Sequence, residues 1–266
     1  MRPVEGKFRN GEPYLRVGTG RPLVYLSGFS VEHANPTGYG RWLTLWTIRP
    51  FARAGYEVYF TGRAPHLPPT TTFADLAASL ADGLGDQFDG PVDLLGHSTG
   101  GSLVLQIIVD RPEVVRRAVV ASAAYTLGPA AKQSQLDLLH SLEEDGRFHA
   151  DDLAASFTQN RIIRRLLAIP LRLASLVKVR RPSDPIAVLR AEDKFDVYDQ
   201  LPDVSTETLV ICGARDYFWT PEMFAETAHR MPHGELIMYP KRGHNLVTSK
   251  QFVADVVSFL ERPENA

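Results

Sequence analysis

Short apolar runs alternate along this chain with longer segments whose apolar residues recur at helical spacing. Runs at residues 23–26, 57–61, 92–95 and 117–121 have the length and the β-branched or aromatic content of strands, and the segments 41–54, 73–87 and 102–109 between them read as helices. An opening hairpin comes first, with residues 7–9 and 14–17 flanking the turn signal Asn10-Gly11. Later the alternation resumes with a strand around Leu209, a helix at 221–230, a strand around Leu236 and a closing helix at 249–260. Short apolar strands separated by helices predict an α/β fold, a mostly parallel central sheet covered by helices on both faces. Trp42, Trp46 and Phe51 share one of these helices at spacings of four and five, which predicts core positions.

Residues 125–195 break the pattern. They read as helices alone, at 132–144, 150–167, 171–177 and 185–191. The expected organisation is therefore an α/β core of residues 1–124 and 196–266 interrupted by a helical cap at 125–195. Residues 161–190 carry seven Arg and Lys178 against Asp184, interleaved with apolar positions. That composition suits an amphipathic helix pair with solvated arginines, and it also suits a surface for an anionic partner such as an acidic headgroup or carrier protein.

Composition narrows the class. A chain of 266 residues, 44% hydrophobic and 23% charged, is large enough for one full core with an insertion. Its net charge of −2 gives no support to nucleic acid as a partner. The single cysteine, Cys212, lies in an apolar strand and reads as a packed thiol. The first residues lack the apolar stretch of a secretory signal, and no apolar run approaches the roughly 18 residues of a membrane span, so the cytoplasm is the expected location. The histidines are scattered without helical pairing, and no metal is expected.

The chemistry concentrates after three strands. Leu94-Leu95-Gly96-His97-Ser98-Thr99-Gly100-Gly101 places Ser98 between a strand and a helix, where a sharp turn presents the hydroxyl as a nucleophile and leaves no room for side chains at Gly96 and Gly100. Such a hydroxyl needs a base, and the base needs a carboxylate. Asp216 follows the strand Thr208-Leu209-Val210-Ile211-Cys212-Gly213, and His244 follows the strand Glu235-Leu236-Ile237-Met238-Tyr239. His97 flanks the nucleophile but reads as structural, because its side chain must point away from Ser98 across the turn. Oxyanion donors are expected at the Thr99 N–H, at a helix start, and at the Phe29 N–H, in the loop after the strand at 23–26. Tyr125, Phe218 and Trp219 follow core strands and are candidate pocket residues. His33 and Asn35 are candidates for the pocket mouth.

On Gly-His-Ser-Thr-Gly-Gly, Gly-Ala-Arg-Asp and Gly-His-Asn, in the order Ser, Asp, His, the chain resembles the α/β-hydrolase fold superfamily, in its capped lipase- and esterase-like branch. The resemblance covers roughly residues 4–124 and 196–262. It implies Ser98 as nucleophile, His244 as base then acid, Asp216 as its orienting partner, and hydrolysis of an ester or thioester with an apolar acyl group without a cofactor. The chain departs from the family at Ser27-Gly28, where His-Gly is frequent, and at Thr61-Gly62-Arg63, where an Asp usually precedes the Arg turn. The same three residues also serve thioesterases, C–C bond hydrolases and hydroxynitrile lyases. A slow-turnover ligand sensor of this fold is a further alternative.

Overall fold

The expected strands form in the computed structural model, which describes residues 1–147 and 178–263, except that the first flank of the hairpin lies at Val4–Lys7 rather than at 7–9, because Phe8 closes the turn through hydrogen bonds with Glu12 and Gly11. The hairpin comprises β1 (Val4–Lys7) and β2 (Pro13–Gly18), followed by β3 (Arg21–Leu26), β4 (Tyr56–Thr61), β5 (Val92–His97), β6 (Val115–Ala121), β7 (Glu207–Gly213) and β8 (Gly234–Tyr239). They make one sheet in the order β1-β2-β4-β3-β5-β6-β7-β8, in which β2 runs antiparallel to both its neighbours and β3 to β8 are parallel. Period-two alternation divides its side chains: Val24, Leu94, Val120 and Val210 face one layer, and Tyr25, Leu95, Val119 and Leu209 the other.

Two layers of helices cover those faces. Helices α2 (Phe73–Gln87), α3 (Thr99–Asp110) and α6 (Pro221–Arg230) pack on the first. Helices α1 (Gly38–Arg53) and α7 (Lys250–Leu260) pack on the second through Leu45, Ile48, Phe51, Phe252, Val256 and Phe259. Helix α2 starts at a capping box, in which the Thr72 hydroxyl accepts from the Asp75 N–H and the Asp75 carboxylate accepts from the Thr72 N–H at 2.8 Å. The buried Arg117 ties down the end of α7, donating to Glu207, to the carbonyl of Leu260 in the last turn and to those of Arg262 and Pro263 just beyond it. Cys212 is buried in the first layer. Phe51 is a core residue as expected, but Trp42 and Trp46 are not. They lie on the outward side of α1, because Leu45, Ile48 and Phe51 already fill the face that meets the sheet.

Between β6 and β7 the described residues hold α4 (Pro129–Glu144) and α5 (Ser183–Glu192). Leu142, Val179 and Leu189 cluster there with Phe29 and Val31 of the loop after β3. The Asp184 carboxylate accepts the N–H groups of His66 and Leu67, which binds this insertion to the core. The helices expected at 150–167 and 171–177 lie outside the described residues, as does most of the basic stretch 161–190. Of its described members, Arg190 pairs with Glu143, and Arg181 Nη1 lies 2.6 Å from His66 Nε2, so an anionic partner finds no support at this surface. Among the described residues no helix is long and apolar enough to cross a membrane.

Candidate active site

The carboxyl ends of β3, β5, β7 and β8 converge, as parallel sheets of this kind require. At the end of β5 the chain turns straight into α3, and the turn residue Ser98 has φ 56° and ψ −127°. A non-glycine residue holds that conformation only where its surroundings fix it. Its N–H donates to Ala121 in β6, and its carbonyl accepts from Gly101 and Ser102 in the first turn of α3. A Cβ on Gly96 would overlap the Gly100 carbonyl, and one on Gly100 would overlap the Leu26 carbonyl, so both glycines are required by close backbone approach.

His244 faces this serine across the sheet end. Its Nε2 is 3.0 Å from Ser98 Oγ, and its Nδ1 is 3.0 Å from Asp216 Oδ2. The Asp216 side chain is wholly buried, and its Oδ1 also accepts the Phe218 N–H at 2.8 Å, which fixes the carboxylate plane. The Trp219 ring stacks on the imidazole at 5.7 Å and 12°, while Phe218 meets it edge-on at 4.8 Å. Trp219 is itself held by its indole N–H, which donates to the Thr126 carbonyl at 2.8 Å. Ser98, Asp216, His244, Phe218 and Trp219 thus come together.

The oxyanion candidates sit beside them. Thr99 is the first residue of α3, so its N–H has no acceptor within the helix. Gly28 lies against the turn, since a Cβ on it would stand 3.3 Å from the His97 carbonyl oxygen and 3.4 Å from Ser98 Cβ, and this brings the Gly28-Phe29 loop next to the serine. Tyr125 goes elsewhere. Its ring meets Tyr198 at 4.9 Å, and it lines a separate cleft with Asp196, Gln200, Glu222, Met223 and Glu226, because Val197 and Thr227 hold its backbone on that side. His33 is buried with Nδ1 2.9 Å from the Ala64 carbonyl, and burial lowers its pKa.

Several supporting residues escape a reading by motif. The His244 carbonyl accepts from Ser122 Oγ at 2.9 Å and from His97 Nε2 at 3.2 Å. Burial, with the His244 ring beside it, pushes the His97 pKa down to about 4, which keeps that ring neutral. Arg63 is buried and donates to the Gly28 carbonyl at 2.6 Å. Glu192 of α5 is fully buried and accepts from the Gln135 amide at 2.8 Å. Burial raises its pKa, while the Arg63 guanidinium, Gln135 and the hydroxyls of Thr99 and Ser102 favour its ionised form. That carboxyl of the insertion is therefore close enough to the first turn of α3 and to Arg63 for both to favour its charge. The signal for Arg63 was its place in the turn two residues beyond β4, where the family usually carries Arg; Ser122 and Glu192 had none.

Relatives share the architecture. The chain is 26% identical over 259 residues to an (E)-2-((N-methylformamido)methylene)succinate hydrolase of Acinetobacter baylyi, covering 93% of each. It is 27% identical over 229 residues to a pimeloyl-[acyl-carrier protein] methyl ester esterase of Neisseria meningitidis, covering 75% of this chain and 79% of the relative. A crystal structure of a hydrolase from Pseudomonas aeruginosa superposes with a TM-score of 0.74 at 20% identity, covering 98% of this chain and 99% of the other. The model of the alpha/beta hydrolase family matches residues 23–256, and this chain, a hydrolase of that fold, belongs to that family.

Proposed function

We propose that this hydrolase is a serine esterase, acting on a carboxylic ester or thioester with an apolar acyl group through an acyl-enzyme. The observation that carries the reading is the unbroken line from Asp216 through both nitrogens of His244 to Ser98 Oγ. Ser98 Oγ attacks the carbonyl carbon as its proton passes to His244 Nε2, and Asp216 stabilises the imidazolium through Nδ1–H. The oxyanion takes hydrogen bonds from the Phe29 and Thr99 amides, with the α3 dipole adding to them. His244 then protonates the departing alcohol or thiol. Water, deprotonated by the same nitrogen, attacks the acyl-serine; collapse releases the acid and returns the proton to Ser98. This sequence calls on no cofactor. Phe218, Trp219 and Phe29 supply apolar surface beside the reacting atoms, and residues 125–195 act as a cap that shapes entry.

A fluorophosphonate probe and a series of p-nitrophenyl esters test this. Labelling and turnover should both disappear in Ser98→Ala, with a loss of about 10⁴-fold or more in kcat, and the chain-length optimum should measure the acyl pocket. A protein that neither labels nor turns over esters would sink the reading. Labelling without ester turnover would keep the nucleophile and move the substrate to another bond class, such as a C–C bond.

A further inference from the structure

The outward face of α1 is apolar, aromatic and basic at once. Tyr39 is 76% exposed, Trp42 56%, Trp46 49% and Leu43 40%. Their spacing of three and four residues puts them on one stripe, opposite the buried Leu45, Ile48, Phe51 and Ala52. The Tyr39 and Trp42 rings stack at 5.7 Å, so the stripe is a continuous patch. Arg49 and Arg53 continue it into the last turn, Arg41 on the flank pairs with Glu5, and α1 contains no acidic residue.

We propose that this face docks the protein on an anionic lipid surface. Tryptophan and tyrosine bury an apolar ring while keeping a polar edge wet, which suits the boundary between headgroups and acyl chains, and arginines beside them attract anionic headgroups. The dimensions point the same way. Sixteen helical residues make a ridge about 24 Å long and only one helix wide, where a stable protein dimer usually buries a broad face of ~800 Å² per partner. Partial insertion into a lipid surface needs no more than such a strip. The proposal stands independently of the bond that the active site cleaves.

The chain has three tryptophans, two of them on this face and the third, Trp219, buried, so emission reports directly on the patch. Co-sedimentation and fluorescence are measured with vesicles of phosphatidylcholine alone and of phosphatidylcholine mixed with phosphatidylglycerol. The expected result is binding and a blue shift with the mixed vesicles, both weakened by salt. Arg49→Glu with Arg53→Glu should weaken binding about tenfold or more. Trp42→Ser with Trp46→Ser should abolish it, and neither pair of changes should alter hydrolysis of a soluble ester or the melting temperature. The proposal is overturned if the two kinds of vesicle bind alike, or if the tryptophan variant binds as the parent does. It is equally overturned if emission is already blue in buffer and unmoved by lipid, or if sedimentation equilibrium shows a dimer that the tryptophan variant dissociates.

Discussion

Asp216 accepts from His244 Nδ1 with one oxygen and from the Phe218 N–H with the other, so its charge and its orientation are separable. In Asp216→Asn the turn survives on the amide oxygen, but the amide N–H₂ now faces Nδ1 and forces the proton onto Nε2, where His244 has to act as a base. Turnover should fall about 10⁴-fold with the melting temperature nearly unchanged, measured by steady-state kinetics and calorimetry. Glu12 gives the second prediction at this scale. It is buried, and burial pushes its pKa up to about 8, against the pull of Asn10 and Arg63. Between about 4.5 and about 8 the folded chain holds a proton that the unfolded chain has lost. Its contribution is therefore present at low pH and disappears as pH rises through the upper value. Melting temperatures near pH 6 and near pH 9 should converge in Glu12→Gln, and an unchanged pH dependence would contradict the assignment. Ser98, Asp216 and His244 were legible because each sits in a short motif after a recognisable strand. Ser122 and Glu192 were not, since their partners lie at least 57 residues away along the chain, and Arg63 showed its turn but not its partner Gly28.

Among the elements, the serine turn is the one fixed by sterics rather than by apolar pattern. A methyl group at Gly100 would meet the backbone of β3, a neighbour that cannot yield without distorting the sheet. Gly100→Ala should cost roughly 3 kcal/mol or more and reduce soluble yield, seen as a lowered denaturation midpoint. Helix α2 offers a milder contrast, where Thr72→Ala removes one half of a capping box and should cost about 1 kcal/mol in the same measurement. Strand and helix positions followed the periodicity closely, since apolar residues in a covered sheet leave little choice. The side that α1 turns inward did not. A helix carrying apolar residues on opposite sides has no single stripe to read, and the sheet chose Ile48 and Phe51 over Trp42 and Trp46. The parallel sheet and its two layers were therefore foreseeable, while the outer face of α1 needed the packing to be known.

Across the molecule, apolar packing and polar contacts join the insertion to the core among the described residues. Asp184 satisfies two backbone amides, one of them on His66, whose φ of 68° lies in the left-handed region. Removing that carboxylate in Asp184→Ala orphans both amides and should cost about 1–3 kcal/mol, seen as a lowered denaturation midpoint. A rise in KM with kcat retained would show that the attachment governs entry rather than chemistry. The order of the three converging residues along the chain has a consequence during synthesis. Positions 98, 216 and 244 follow β5, β7 and β8, and in the sheet β7 and β8 are joined to β5 through β6. A nascent chain halted before β8 carries Ser98 without His244, so the proposed reaction predicts that it is silent towards acyl groups in its surroundings. Recovery of activity after dilution from denaturant should accordingly trail the recovery of helical signal, because long-range parallel pairing is the slow part of such a fold.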